Sequence, residues 1–152
     1  MTIRLSTGMC IKLLDGGASG GIKGAFGGYM GIFAGSQPSD ADSGSGAATL
    51  LGTVTHNDDG STAITFDATP AGTTTIAKAA AQNWKFHGLT NGVAGWFMLY
   101  QSGDTYTGAS LTYARITGTI GTAGADLNIS NTSIVAAAVT TIDTFTITLP
   151  KA

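Results

Sequence analysis

At 152 residues the chain has the length of one domain and can bury a real core without disulfide or metal staples. Its formal net charge of −2, with five Lys and two Arg spread thinly, offers no phosphate-tracking patch and argues against a nucleic-acid partner. All nine acidic residues are Asp, and Gly, Ala and Thr crowd the sequence, a vocabulary of turns and pleated strands rather than exposed helices.

No membrane partner is expected either. The most apolar runs, Val135–Val139 and Trp96–Tyr100, are far shorter than the ~20 residues a spanning helix needs. Lys12 and Asp15 interrupt what would have to be the apolar centre of a signal peptide. Cys10 is the single cysteine, so no intrachain disulfide can form, and folding in a reducing cytoplasm is expected.

In chain order, residues 1–27 read as an N-terminal arm. Ser6 is placed to cap a short helix through Leu14, with Leu5, Met9 and Leu13 on one side. Asp15-Gly16-Gly17 stops it, and the run Gly16–Gly28 is so glycine-rich that only Ile22 and Phe26 offer an anchoring face. Ordering such an arm costs conformational entropy, so it needs a surface, its own domain or a neighbour's. Met9, Leu13, Ile22 and Phe26 are the expected assembly contacts.

From Gly28 the period becomes two, and residues 28–152 read as a β-domain. Tyr29–Ala34 is apolar on both pleat faces, the pattern of a central strand. The polar stretch from Ser36 to Gly46 is a loop, broken by Pro38 and glycines. Thr49–Thr55 is the next strand, and Asp59-Gly60 suits a tight hairpin returning through Thr62–Ala68, with Ile64 and Phe66 inward and Thr65 and Asp67 outward. Thr73–Ala80 is an ambiguous Thr-rich strand. Trp84–Leu89 and Ala94–Gln101 read as a hairpin around Asn91-Gly92.

Leu111–Gly121 follows as a long strand, with Ala114, Ile116 and Ile120 on one face and Arg115, Thr117 and Thr119 on the other. Ala125–Ser130, Ile134–Val139 and Thr141–Leu149 finish the chain before Pro150. In the last of these Phe145, Ile147 and Leu149 alternate with Thr144, Thr146 and Thr148. Short strands at regular spacing predict an all-β sandwich, jelly-roll-like or immunoglobulin-like, with a short helical arm.

Catalytic chemistry has no visible constellation. His56 falls in a turn and His87 on the outer face of a strand with Lys85, neither beside a Cys or Glu that could serve as its partner. Asn57-Asp58-Asp59-Gly60 offers too few alternating oxygens for a hard cation, and Asp40 and Asp42 read as loop solubilisers. Gly-Gly-Ile-Lys-Gly within 16–28 lacks the strand and the Gly-Lys-Ser/Thr ending of a phosphate loop. Trp84 with Phe86, and Trp96 with Tyr100, fit a cross-strand cluster filling the core better than an exposed sugar platform. Cys10 reads as a small apolar residue on the arm helix. No catalytic, cofactor or metal residue is therefore assigned, and an enzyme is not expected.

Several segments carry a resemblance. They are the opening Met-Thr-Ile-Arg-Leu-Ser-Thr-Gly, Ile32-Phe33-Ala34-Gly35-Ser36-Gln37-Pro38 with Asp40-Ala41, Leu50-Leu51-Gly52-Thr53-Val54, Ala94-Gly95-Trp96-Phe97, Gly124-Ala125-Asp126-Leu127-Asn128, and Ile142-Asp143-Thr144-Phe145-Thr146-Ile147-Thr148-Leu149-Pro150. Together they resemble a family of small tailed-bacteriophage virion proteins, from which the extra glycines at 16–28 depart. The resemblance implies a structural component of the particle, a head decoration or cement protein contacting the major capsid protein and copies of itself. It also implies assembly in the bacterial host cytoplasm and residence in the virion as a homo-oligomer, with no cofactor. The competing reading is a binding module, such as a tail-fibre tip or adhesin recognising a carbohydrate or a receptor.

Overall fold

The computed structural model describes residues 3–15, 20–70 and 72–150. The expected glycine hinge lies largely at 16–19, outside the described residues. The chain is an all-β sandwich of one large sheet and one small one, with two short helices beside them.

Near the N-terminus β1 (Arg4–Leu5) leads into α1 (Thr7–Leu14) and α2 (Gly21–Ala25). Ser6 does cap α1. Its Oγ accepts from the Met9 N–H at 3.0 Å, and Asp42, across the fold, accepts from the Thr7 N–H at 2.8 Å. The strands that follow are β2 (Tyr29–Ala34), β3 (Leu50–His56), β4 (Thr75–Ala77), β5 (Trp84–His87), β6 (Gly92–Tyr100) and β7 (Arg115–Gly121). Four short ones finish the chain: β8 (Leu127–Asn128), β9 (Ser133–Ile134), β10 (Val139–Ile142) and β11 (Thr146–Thr148).

The large sheet runs β1-β7-β6-β2-β3-β5-β10, with β8 beside β7 and β9 beside β6. All its pairings are antiparallel except β7 with β8. The doubly apolar Tyr29–Ala34 is central, as its composition requires. Val54, Met30, Leu99 and Ile116 are successive register partners across four strands and form one buried row. Over that face lies the small sheet, β4 against β11, where Ile76 meets Ile147. Thr146 and Thr148 are exposed while Phe145 and Ile147 are buried, as alternation predicts, and Leu149 is half-buried.

The opposite face is also covered. Phe33 stacks on Trp96 at 4.4 Å between ring centres, and Tyr100 packs near Tyr106 at 4.8 Å, beneath the segments that follow β2 and β6. Those two segments are laced together by Ser45 N–H to Tyr106 O (2.8 Å) and Ser110 N–H to Asp42 O (2.8 Å). Arg115 and Thr117 do lie opposite Ile116, yet both are buried under this cover.

Three sequence expectations need correction. β5 and β6 do not form a hairpin: β5 pairs with β3 and β10, and β6 with β2, β7 and β9. Gly92 takes no left-handed turn conformation. It is a strand residue opposite Ile134, and a Cβ there would stand 2.6 Å from a methyl carbon of Leu51. The Thr62–Ala68 return is not a strand; it closes with a bond from His56 N–H to Thr62 O (3.1 Å), although Ile64 and Phe66 are buried as expected. Thirdly, the two aromatic pairs belong to different faces. Trp84 and Phe86 lie in the main core, whereas Trp96 and Tyr100 lie in the second cluster.

The expected arm is part of the same body. β1 pairs with the edge of β7, and the backbone of Gly8 sits so close to Thr112 and Tyr113 that a Cβ would lie 2.4 Å from both carbonyl oxygens. Met9, Ile22 and Phe26 enter the main core with Leu13 packed against them. The anchoring face finds its surface on its own domain, because burying three large apolar side chains there outweighs the ordering of a short segment.

Candidate functional site

The turn after β3 builds a cleft on which a histidine–aspartate pair, two threonines and two tyrosines converge. Asn57 and Asp58 take left-handed backbone conformations (φ 56° and 60°), as does Gly60 (φ 74°), so the chain folds back over its own strand. Asp59 secures the turn by accepting from the N–H groups of Ser61 (2.9 Å) and Thr62 (2.7 Å). A hydrogen bond from the Thr62 side chain, and then these two backbone bonds, hold its carboxyl down at about 2. The Gly60 N–H donates to Thr55 Oγ1 (3.2 Å), and the Tyr29 hydroxyl donates to Ser61 O (2.9 Å), tying the turn to β3 and β2.

This fold-back carries Asp58 to β5. There the His87 backbone N–H donates to Asp58 Oδ1 (3.1 Å), and the ring donates from Nδ1 to Oδ1 (2.9 Å) and Oδ2 (3.0 Å). A carboxylate only accepts, so these contacts put a ring proton on Nδ1; in the neutral ring Nε2 is then the acceptor, and in the protonated ring it donates. The Asp58 side chain is 16% exposed and that of His87 52%, so one partner is sheltered and the other faces solvent. Between them and the sheet lies a cavity of about 310 Å³. Thr53 and Thr55 line it from β3, Tyr29 and Tyr100 from β2 and β6, and Leu89 closes its apolar end. The side chain of Thr53 hydrogen-bonds the Tyr100 phenol, whose pKa burial pushes well above the ordinary range, so that group stays a neutral hydroxyl.

Chemically, the histidine–aspartate pair presents one oriented imidazole nitrogen. Among the described residues no hydroxyl or thiol is hydrogen-bonded to it, and no group of three or more His, Cys, Asp or Glu is placed to hold a metal. His56 is occupied elsewhere: its Nδ1 accepts from the Asn83 N–H (3.2 Å), and Nε2 lies 2.9 Å from the Asn57 amide. Cys10 is exposed on α1 rather than packed.

The expected assembly contacts fall elsewhere. Met9, Ile22 and Phe26 are buried in their own domain, which corrects the expectation that they are offered to a partner. Leu13 and Ile22 also border a separate groove of about 460 Å³, beside Ile76, Ile147 and Leu149. Sequence reasoning missed the Asp58–His87 pair because its members are 29 positions apart and meet only through the β3–β5 pairing. It also missed the buried pair Arg115–Asp104, whose Nε and Nη2 bonds measure 2.6 and 2.7 Å. Asp40 and Asp42 are not idle solubilisers, since they accept from Ser43 and Thr7 respectively.

Comparison of the chain with protein-family models, with curated proteins and with solved structures gave no match.

Proposed function

We propose that this chain is a structural component of a tailed-phage particle, a decoration or cement protein that stabilises the head by contacts with the major capsid protein and with copies of itself. The observation that carries the reading is an exposed aliphatic seam. Leu89, Val93, Val135 and Val139 are each more than half exposed, and all lie where residues 87–93 meet residues 133–139. The seam borders β10, which ends the large sheet and pairs on one side only among the described residues. Apolar residues beside a free strand edge suit a protein–protein contact better than open water. The segment resemblances support the same reading.

Quantitative mass spectrometry of purified particles, scaled to the major capsid protein, tests it. A copy number comparable with that of the capsid protein is expected. A dozen copies or fewer would move the chain to the neck or tail, and absence from the particle would overturn the proposal. Val135→Asp with Val139→Asp should abolish attachment while leaving the far-UV circular dichroism of the isolated protein unchanged.

A further inference from the structure

We propose that the Asp58–His87 cleft is a binding site for a neutral, hydroxyl-rich ligand the size of a single sugar ring. The inference is independent of the particle reading, because it concerns the isolated domain.

Size comes first. A cavity of about 310 Å³ stands at the lower end of the ~300–1,000 Å³ range of small-molecule sites, room for one ring rather than a nucleotide. Polarity then selects the ligand. Asp58 is the only fully charged group among the described lining residues, and its oxygens can only accept. Asp58 holds a proton on Nδ1 of His87, so in the neutral ring Nε2 is a further acceptor facing the cleft. The Asp58 carboxylate at the wall disfavours phosphates and carboxylates and favours a ligand that brings its own O–H donors, and the lining hydroxyls can meet such a ligand as donors or acceptors.

Shape narrows it further. Tyr29 and Tyr100 stand 6.1 Å apart, tilted at 51°, and give the cleft an aromatic wall against which the C–H face of a sugar can pack. Leu89 extends the apolar side. Thr53 and Thr55 add hydroxyls at the floor, both anchored, by the Tyr100 phenol and by the Gly60 N–H. Asp58 is held by the backbone N–H and the ring of His87, Thr55 by the Gly60 N–H and the Tyr29 hydroxyl by Ser61 O, and that pre-organisation lowers the cost of binding.

Uniformly ¹⁵N-labelled full-length chain, titrated separately with glucose, galactose, mannose, N-acetylglucosamine and inorganic phosphate, tests the assignment by amide and imidazole shifts. At least one sugar should give saturable shifts confined to the cleft, at Tyr29, Thr53, Asp58, Gly60 and His87, and phosphate should give none. His87→Ala removes a half-exposed side chain and should leave the remaining spectrum in place while weakening the sugar by at least about tenfold. Asp58→Asn, which tolerates the left-handed backbone, should also weaken it by releasing the ring tautomer. Saturation by phosphate instead, no saturation by any of the four sugars, or unchanged affinity in both variants overturns the assignment. Absence of the chain from phage particles would leave this titration untouched, so the two proposals fail separately.

Discussion

Replacing Asp104 by Ala should cost this protein more stability than any other single change to a charged residue. Arg115 and Asp104 have side chains only 1% exposed, and they meet through two parallel bonds of 2.6 and 2.7 Å. The third arm of the guanidinium donates from Nη1 to the carbonyls of Gly108 (2.9 Å) and Asp42 (3.2 Å), so its charge is fully enclosed by protein. Arginine cannot shed its proton to escape burial. Removing the carboxylate therefore leaves an uncompensated charge under the cover of the second face, a situation that costs about 3–5 kcal/mol. The loss of the acceptor for the Tyr106 N–H, now 2.8 Å from Asp104 Oδ1, pushes toward the upper end of that range. For a domain of this length the melting temperature should fall by about 6–20 °C. Urea unfolding followed by tryptophan fluorescence measures it directly, with the slope unchanged if only the native state is affected. The double variant Asp104→Leu, Arg115→Met should lose less than Asp104→Ala alone, because it removes the stranded charge. A loss below about 1 kcal/mol in the single variant would place the pair in the solvated regime of surface ion pairs and refute the reasoning.

Gly8→Ala sets helix propensity against packing. Alanine is favoured by about 1 kcal/mol inside a helix, but its Cβ would lie 2.4 Å from the Thr112 and Tyr113 carbonyl oxygens, so a lowered melting temperature is expected and a raised one would unseat α1 from that segment. Phe26→Ala should destabilise the isolated protein by about 3–5 kcal/mol in denaturant titrations, whereas unchanged stability would return this side chain to a role in assembly alone. On β11, Ile147→Ala should cost about 2–5 kcal/mol and Thr146→Ala no more than about 0.5, and the reverse order would mean the strand faces the other way. Asp59 gives a pH signature. Its folded carboxyl lies at about 2, below the ordinary 3.8, so its contribution is present above the unfolded value and disappears as pH falls through the folded one. The urea midpoints of wild type and Asp59→Asn should differ near pH 6 and converge near pH 2, and a gap independent of pH would contradict the assignment.

Features that depend on near neighbours along the chain were legible in the residues. Period-two alternation gave the inward set Phe145 and Ile147, Ser6 gave the start of α1, and the doubly apolar Tyr29–Ala34 gave the central strand, because each is decided by local backbone geometry and by which face must leave water. Strand partners were set by long-range packing. Asn91-Gly92 carries a strong hairpin signal, yet it yields to the pairing of β6 with β9 and to the close approach of Leu51, since a turn preference worth little is overridden by packing. The same holds for the second face of the sheet. Arg115 and Thr117 alternate correctly with Ile116, but only the loops that close over them convert an outward pattern into a buried one. Residues 1–27 read as an arm because their composition shows an apolar face without showing what it meets, and that surface is distributed over strands far along the chain. The candidate site is the extreme case. Asp58 and His87 are each ordinary where they stand, and the cleft exists because β3 and β5 pair and the turn after β3 folds back across the sheet, a long-range contact that no local pattern encodes.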